Sequence, residues 1–294
     1  MEILILGGSG MLGHKLFQHL RRRHPDTHCT IRGSTTDHGL RKVELFRSGN
    51  IVENIDATDF TALEQFLLRT TPEVVINCIG IVKQRDDAKK AIPSIVVNAL
   101  LPHRLANLCD QWGGRLIHFS TDCVFSGKNG NYREDDFADA EDLYGRTKLM
   151  GEAVTGRSIT LRTSIIGREL AHRASLLEWL LNQNHKRISG YTHALYSGLT
   201  TNYMATVVEK LIDDFPDLTG LYHVTSQTIS KFELLSMLIK AYGLDIEITP
   251  NADFFCDRSM KGDKFTKATH IICPAWTELV AELVSDDTPY DRWK

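Results

Sequence analysis

The sequence lacks the cysteine and histidine spacings that build metal centres or disulfide frameworks. Its six cysteines include no Cys-x-x-Cys pair, and no cluster of cysteine and histidine has zinc-ligand spacing. Unpaired thiols of this kind are typical of proteins in a reducing compartment. We therefore expect a cytoplasmic protein and expect no metal site.

Long apolar runs and an excess of one charge are lacking too. No stretch approaches the roughly 20 apolar residues of a membrane helix. The apolar segment at residues 1–6 is short and has no basic residues before it, unlike a signal peptide. The net charge is −3, which gives no general attraction to nucleic acid or to an anionic membrane. We expect neither as a partner.

The first half of the sequence alternates between strand and helix patterns. Strands are predicted at Ile3–Leu6, His28–Arg32, Val52–Ile55, Val74–Asn77 and Leu116–Ser120, and helices at Met11–Arg23, Phe60–Arg69 and Ile92–Trp112. Regular alternation of this kind predicts βαβ units and an α/β fold with a Rossmann-type, doubly wound parallel sheet.

The alternation becomes irregular after residue 163. Helices are predicted at Ser175–Asn182, Asn202–Asp213, Lys231–Tyr242 and Trp276–Leu283, and short strands at Leu221–Val224 and Ile246–Ile248. We expect a dinucleotide-binding domain at residues 1–163 and a smaller α/β substrate lobe at residues 164–294. No change in composition marks a free linker, so the two parts should pack tightly.

A glycine-rich turn follows the first predicted strand and opens the first helix. Glycines 7, 10 and 13 are spaced as in dinucleotide-binding turns, where the backbone approaches a pyrophosphate at a helix N-terminus. The residues expected to hold the phosphates are Gly7, Ser9, Gly10, Met11, Leu12 and Gly13. The position of this turn at the start of a βαβ series makes the pattern more specific.

The second predicted strand ends without the carboxylate that NAD-binding proteins usually place there. Arg32 stands near its end and can pair with the 2′-phosphate of NADP, so we expect NADPH as cofactor. Asp56 is expected to accept from the adenine amino group, with Ala57 beside it, although Asp56 could instead cap a helix. The segment Cys78, Ile79 and Gly80 should run beside the cofactor.

A tyrosine and a lysine stand four residues apart, at 144 and 148, and share one face if the segment is helical. A nearby ammonium is expected to lower the pKa of the Tyr144 phenol and to make it a usable proton donor and acceptor. Thr121 ends the fifth predicted strand, at the edge where open α/β sheets bind ligands.

Together these motifs resemble the extended short-chain dehydrogenase/reductases, and within them the dTDP-4-dehydrorhamnose reductases. The resemblance rests on the glycine turn and on residues 77–80, 120–127, 144–152, 161–164, 198–201 and 274–276. It implies that Tyr144 protonates the nascent alkoxide, Lys148 also holds the nicotinamide ribose, and Thr121 binds the carbonyl. It further implies NADPH-dependent reduction of a nucleoside-diphosphate 4-keto-6-deoxysugar in polysaccharide biosynthesis, and allows a homodimer.

The substrate site departs from the family at residue 123. The rhamnose enzymes usually carry a tyrosine after Ser-Thr-Asp, whereas this sequence has Cys123, a poor hydrogen-bond partner. We expect substrate contacts from Ser120, Thr121 and Cys123, and from Arg258, which suits a diphosphate better than Lys261 does. Asn98 lies in a predicted helix, where it serves either as a packing amide or, as in the wider family, in a structural or proton-relay role.

Two other functions stay open at this point. A nucleotide-sugar epimerase or dehydratase shares the fold but retains bound NAD, which Arg32 argues against. A non-catalytic binding subunit, such as the regulatory subunit of methionine adenosyltransferase, resembles the same reductases. The presence of Thr121, Tyr144 and Lys148 together argues for catalysis.

Overall fold

The structure is a computed structural model, and it describes residues 1–37, 39–47, 49–82, 89–171 and 175–293. Within them the strands are β1 (Ile3–Leu6), β2 (Thr27–Thr30), β3 (Ile51–Val52), β4 (Val74–Asn77), β5 (Arg115–Thr121), β6 (Ile159–Thr163), β7 (Ile165–Ile166), β8 (Lys186–Tyr196), β9 (Leu199–Thr200), β10 (Gly220–His223), β11 (Ile229–Ser230) and β12 (Ile246–Asp257). The helices are α1 (Met11–Leu20), α2 (Phe60–Thr70), α3 (Ala91–Ser94), α4 (Leu101–Trp112), α5 (Leu143–Met150), α6 (Leu176–Leu181), α7 (Thr201–Asp213), α8 (Lys231–Tyr242), α9 (Asp263–Thr269) and α10 (Trp276–Val284). None of the described helices is both long enough and apolar enough to traverse a bilayer.

The central sheet of the described residues has seven parallel strands in the order β10-β6-β5-β4-β1-β2-β3. The order in which the chain adds strands reverses between β1 and β4: β2 and β3 lie on one side of β1, and β4 and the later strands lie on the other. In open α/β sheets, ligands bind in the crevice outside the carboxyl ends of the strands at this reversal. The predicted Rossmann-type doubly wound sheet is confirmed.

Both faces of the sheet are covered by helices, which explains why the four residues of β1 are apolar and buried. On one face, Leu16 and Phe17 of α1 belong to the same core cluster as Leu211 of α7. On the opposite face, Leu63 of α2 and Leu105 of α4 belong to a second cluster. The amphipathic spacing of these helices therefore buries one side of each against the sheet.

The part of the chain after residue 163 contributes to three sheets of the described residues, one of which is the short parallel pair of β7 and β9. Its strand β10 pairs in parallel with β6 and extends the central sheet. Strands β11, β8 and β12 form a separate small sheet, in which β12 runs for 12 residues where three were predicted. Neither β8 nor α9 was predicted, because few of their residues are buried and their apolar periodicity is weak. The domain boundary at residue 163 stays a prediction.

The predicted helix at Ile92–Trp112 is interrupted by a π-helical stretch, Ile95–Leu100, between α3 and α4. Pro102 has no N–H to donate to the carbonyl of residue 98, four positions earlier, so the regular α-helical ladder cannot continue there. Asn98 lies within the π-helical stretch. Such single-turn π segments are frequent at functional sites.

Candidate active site

The glycine turn places the N-terminus of α1 directly beyond the end of β1. Gly13 lies in the first turn of α1, and a Cβ there would come 2.1 Å from the carbonyl oxygen of Gly7. Only glycine therefore allows the helix to approach the turn this closely. The close approach directs the first N–H groups of α1 towards the crevice between β1 and β4.

The N-terminus of α1 has the character of an anion site. Gly10 is the N-cap residue and supplies no side-chain hydrogen bond to the first N–H groups. The first turn of α1, all of which the structure describes, contains no acidic residue. The leading N–H groups and the positive end of the helix dipole are thus not neutralised by a side chain of α1. Ser9, Met11 and Leu12 lie in the same turn. This geometry fits the pyrophosphate of a dinucleotide.

The end of β4 runs beside this turn. The backbone N–H of Cys78 donates to the carbonyl of Leu6 at 3.0 Å, and Ile79 donates to the side chain of Asn77 at 3.1 Å. Burial raises the pKa of the Cys78 thiol above its ordinary range. Cys78 therefore remains a neutral thiol that lines the crevice.

The end of β2 carries Arg32, which is exposed and lies within electrostatic reach of Asp56. Asp56 accepts from the backbone N–H and hydroxyl of Thr58 at 2.8 and 2.7 Å, and these bonds lower its pKa. One carboxylate oxygen of Asp56 is therefore already engaged, next to buried Ala57. Asp59, rather than Asp56, caps α2 by accepting from the N–H of Ala62.

A carboxylate that the sequence analysis did not consider binds the loop that follows Arg32. Glu53 follows β3 and accepts from the hydroxyl of Ser34 at 3.1 Å and from the backbone N–H and hydroxyl of Thr35. These bonds lower the pKa of Glu53. The loop after β2 thus carries the Arg32 guanidinium, and the carboxylate of Glu53 binds the same loop from the end of β3. In the sequence, the signal that could have identified this carboxylate was the acidic residue directly after β3.

Tyr144 and Thr121 lie together at the carboxyl end of β5. The Tyr144 phenol lies beside the Thr121 hydroxyl, which acts to lower the pKa of the phenol. That hydroxyl donates to the carboxylate of Asp122 and accepts from the backbone N–H of Cys123, each at 3.1 Å. Helix α5 comes this close to residue 123 because a Cβ on Gly145 would lie 2.2 Å from the Cys123 carbonyl oxygen. The structure therefore brings the predicted threonine and tyrosine into contact.

Lys148 lies one helical turn beyond Tyr144 and is buried, and its Nζ donates to the carbonyl of Phe119 at 2.6 Å. Burial lowers the pKa of Lys148 to about 8, while Glu152 and Cys78 act in the opposite direction. The influence of Cys78 places the ammonium between the ends of β4 and β5. Lys148 thus connects the glycine-turn side of the crevice to the Tyr144 side.

The expected lowering of the tyrosine pKa is not what the structure shows. The pKa of Tyr144 is raised, chiefly by burial, and the Thr121 hydroxyl opposes this rise only in part. The Lys148 ammonium, which donates to the Phe119 carbonyl, does not offset this rise. The phenol is therefore fully protonated at neutral pH, the form required of a proton donor.

Asn98 links three segments around the site. Its Oδ1 accepts from the N–H of Ile81 at 2.8 Å, and its Nδ2 donates to the Ile81 carbonyl at 3.0 Å and to the Thr147 hydroxyl at 3.3 Å. Of the two roles left open by the sequence, these contacts correspond to the packing amide. They hold the segment after β4 against α5.

Ser120 faces away from Thr121. Its hydroxyl donates to Glu152 at 2.6 Å, and Glu152 forms a bidentate pair with Arg162 at 2.7 and 2.8 Å. Consecutive residues of a strand point to opposite faces of the sheet, so Ser120 and Thr121 cannot both face the crevice. The structure therefore does not bring Ser120, expected as a substrate contact, to the other site residues.

Arg258 lies close to Cys123, although 135 positions separate them in the sequence. Its Nε donates to the Phe125 carbonyl at 2.9 Å, and its Nη1 lies 3.7 Å from the Cys123 sulfur. Lys261, the weaker candidate, follows the bridge between Tyr132 and Met260 and is exposed. The structure thus brings Arg258, rather than Lys261, to the loop after β5.

A second cation in this region was missed by the sequence analysis. Lys231 is the first residue of α8, and its Nζ lies 3.8 Å from the centre of the Tyr196 ring. Asp122 and Cys123 are among the groups that act on its charge, and burial lowers its pKa. No local motif marked this lysine, because β5 and α8 meet only through the tertiary fold.

The family of the chain follows from its sequence match. The model of the family described as RmlD substrate binding domain matches residues 1–288. The chain belongs to this family. The family assignment made from the sequence is thereby confirmed, as is the expectation of an oxidoreductase of the extended short-chain dehydrogenase/reductase type.

Similar proteins carry several names. The chain is 24% identical over 256 residues to the spore coat polysaccharide biosynthesis protein SpsK of Bacillus subtilis, covering 84% of this chain and 81% of that protein. It is 28% identical over 261 residues to methionine adenosyltransferase 2 subunit beta of Mus musculus, covering 83% and 72%. Proteins of this similarity to the chain are thus named for polysaccharide biosynthesis and for a subunit of methionine adenosyltransferase.

Among solved structures, the dTDP-4-dehydrorhamnose reductase of Bacillus anthracis in complex with NADP superposes with a TM-score of 0.80. The two proteins are 19% identical, and the match covers 97% of this chain and 99% of that one. Likeness at this identity shows that the two share the fold over almost their whole lengths.

Proposed function

We propose that this RmlD-family chain reduces a keto group of a deoxysugar carried by a nucleoside diphosphate, with NADPH as the reductant. The observation that carries the proposal is the contact between Thr121 and Tyr144, with Lys148 one turn away at the crevice. The names of related proteins in polysaccharide biosynthesis support it. The sugar C4 ketone is the proposed reacting group, as the family resemblance implies.

The residues present fit a dinucleotide. The uncapped N-terminus of α1 would hold the pyrophosphate, Cys78, Ile79 and Gly80 would line one side, and Arg32 would pair with the 2′-phosphate. Lys148, between β4 and β5, would hold the nicotinamide ribose. When bound, NADPH supplies the hydride that the reduction requires.

The side chains of the site then supply orientation and a proton. The Thr121 hydroxyl would hydrogen-bond the substrate carbonyl, and the protonated Tyr144 phenol would donate its proton to the carbonyl oxygen as negative charge develops there. The positive charge of Lys148 would stabilise the phenolate that remains. Arg258 and Cys123 would lie on the sugar and diphosphate side.

The direct test measures NADPH oxidation against a panel of nucleoside-diphosphate 4-keto-6-deoxysugars, with the product identified by NMR. Turnover of at least one sugar, yielding the alcohol, is the expected result. The Tyr144→Phe variant serves as the matched control, since it retains the ring and loses the proton. Absence of turnover across the panel, with NADPH bound, would contradict the proposal.

A regulatory role is the second candidate, because relatives named methionine adenosyltransferase 2 subunit beta align with over 80% of the chain. It predicts a stable complex with a methionine adenosyltransferase and no reduction of keto sugars. Size-exclusion chromatography of the mixed proteins, together with the NADPH assay, separates the two roles. An epimerase or dehydratase would instead copurify with oxidised NAD, which absorbance of the denatured protein reveals.

A further inference from the structure

Helix α1 is fastened to residues 286–293, which are distant from it in the sequence. The ammonium of Lys15 pairs with Asp286 at 2.6 Å and donates to the Thr288 hydroxyl at 3.1 Å. Because both charged side chains are more than nine-tenths buried, dissolved salt screens this pair little. The segment therefore lies along α1, the helix whose N-terminus forms the proposed pyrophosphate site.

A second contact between this segment and α1 reaches the glycine turn itself. His14 is fully buried, and its Nδ1 lies 2.8 Å from the Gly10 carbonyl oxygen while its Nε2 lies 2.9 Å from the Tyr290 hydroxyl. Burial lowers the pKa of His14 to about 4, so the ring is neutral at physiological pH. A neutral imidazole has one donor and one acceptor nitrogen. Since a carbonyl oxygen only accepts, Nδ1 carries the proton and Nε2 accepts from the phenol.

The Tyr290 phenol is oriented for this contact. Its hydroxyl has a single proton, and the nearer acceptor is His14 at 2.9 Å rather than Asp286 at 3.5 Å. The Tyr290 ring packs edge-on against the imidazole, with 5.6 Å between the ring centres, and the Arg168 guanidinium lies 4.8 Å from the centre of the Tyr290 ring. The proton of Tyr290 therefore selects the tautomer in which His14 donates to Gly10.

The Gly10 carbonyl in turn fixes the direction of the leading N–H group of α1. It accepts from the backbone N–H of His14 at 3.1 Å as well as from the imidazole, so two donors hold it. Because the peptide unit is planar and trans, the N–H of Met11 points opposite to the Gly10 carbonyl. This N–H is one of the four that have no partner within the helix. Rotation of the Gly10–Met11 peptide would turn it away from a bound anion.

We propose that His14 and Tyr290 are positioning residues for the cofactor. Tyr290 selects the His14 tautomer, and His14 holds the Gly10–Met11 peptide so that its N–H faces the pyrophosphate. The inference rests on the proposed function only for the identity of the cofactor, a dinucleotide with a pyrophosphate. It gives residues 286–293, which carry none of the motifs noted in the sequence, a role in cofactor affinity.

The test measures the Kd for NADPH and for 2′-AMP by calorimetry. The second probe carries the phosphate proposed to pair with Arg32 but has no pyrophosphate. We expect NADPH binding to weaken about 3- to 10-fold in Tyr290→Phe and in His14→Leu, as for loss of one neutral hydrogen bond, with 2′-AMP binding unchanged. His14→Asn retains an N–H at the position of Nδ1 and should restore most of the NADPH affinity.

Tyr203→Phe is the matched control. Its hydroxyl donates to the Ile272 carbonyl at 3.2 Å rather than to α1, so both affinities should stay at the wild-type level. Unchanged NADPH binding in Tyr290→Phe would overturn the inference. An equal loss for NADPH and 2′-AMP, as a general loss of structure would give, would also overturn it. If His14→Leu does not fold, Tyr290→Phe decides the question, because it retains the ring.

The keto-sugar assay separates this result from the proposed function. A wild type that binds NADPH and reduces none of the sugars loses the proposed function, while weaker NADPH binding in Tyr290→Phe still supports the inference. Turnover of a sugar with unchanged NADPH binding in Tyr290→Phe rejects the inference alone. A wild type that binds no NADPH overturns both.

Discussion

The side-chain amide of Asn98 donates to the hydroxyl of Thr147 across 3.3 Å, joining the π-helical stretch to the helix that carries Tyr144 and Lys148. Thr147 itself donates to the carbonyl of Leu143 at 2.8 Å. The orientation of α5 is therefore tied to the segment after β4. Asn98 acts as a positioning residue, one step away from the groups proposed to react.

Replacement of Asn98 by alanine should affect both stability and turnover. The N–H and carbonyl of Ile81 lose their partner, which costs about 1–3 kcal/mol in the free energy of unfolding. Turnover should fall while the Kd for NADPH changes little. Thr147→Val removes the link between Asn98 and α5, together with the bond from Thr147 to the Leu143 carbonyl, but leaves the bonds from Asn98 to Ile81 in place, so it separates the two effects. Urea unfolding and kcat are the measurements, and wild-type kcat in both variants would reject the positioning role.

Loss of the Tyr144 phenol should remove the proton donor. Tyr144→Phe is expected to lower kcat by about 10²- to 10⁴-fold, the usual contribution of general acid catalysis, with NADPH affinity nearly unchanged. Thr121→Ala should reduce kcat less, because water can partly replace an orienting hydroxyl. Tyr191→Phe, on exposed β8, is the control and should behave as the wild type. Undiminished turnover in Tyr144→Phe would exclude this mechanism.

The charge of Lys148 should set the alkaline limit of activity. Since burial lowers its pKa to about 8, the ammonium is present below that pH and is lost as pH rises through it. We expect kcat/KM for NADPH, which reports the free enzyme, to fall above about pH 8. In the Lys148→Arg variant the charge persists, so the decline should disappear even if activity is lower. A wild-type profile that is flat to pH 10 would contradict this assignment.

Arg32 should discriminate between the two nicotinamide cofactors. Arg32→Asp removes a charge-assisted contact worth about 1.5–3 kcal/mol and should weaken NADPH binding at least 10-fold, with NADH binding unaffected. Glu53→Gln retains an acceptor oxygen for Thr35 and removes a repulsive charge, so it should favour NADPH. Fluorescence titration with both cofactors is the measurement. Equal wild-type affinities for NADPH and NADH would show that Arg32 has another role.

Local sequence signals predicted the parts of the site that come from contiguous segments. The apolar run before Gly7 and the i, i+4 spacing of Tyr144 and Lys148 are visible because strand burial and helix periodicity follow sequence distance directly. The bounds of β1, β4 and α8 were predicted without error for the same reason. Thr121 was placed correctly because it ends a buried strand.

The remaining site features depend on distances that no local pattern encodes. The side of the sheet on which the Ser120 hydroxyl lies depends on its partner Glu152, which is 32 residues away in the sequence. Lys231 lies over the Tyr196 ring only because the tertiary fold brings them together. The pKa of Tyr144 depends on how deeply α5 is buried, which spacing does not reveal. The long strands β8 and β12 pair with each other while largely exposed, so apolar alternation was too weak to predict them.

Removal of one charge from the Glu152–Arg162 pair should be among the most destabilising single changes in the chain. Both side chains are more than nine-tenths buried, and the carboxylate also accepts from Ser120, so the charges compensate each other without water. Glu152→Gln would leave the Arg162 guanidinium buried without its counter-charge, a loss of about 3–5 kcal/mol in the free energy of unfolding.

The exposed pair of Lys128 and Glu141 offers the matched comparison, since both side chains are about two-thirds exposed. Glu141→Gln should leave the urea midpoint unchanged, because a pair in water gains little from its charges. The two glutamine variants are isosteric and differ only in burial. If Glu152→Gln shifts the midpoint no more than Glu141→Gln does, the buried ion pair contributes little and the stability of the β5–β6 region comes from apolar packing. The pair then does not determine that Ser120 and Thr121 point to opposite faces of β5 in the way the structure shows.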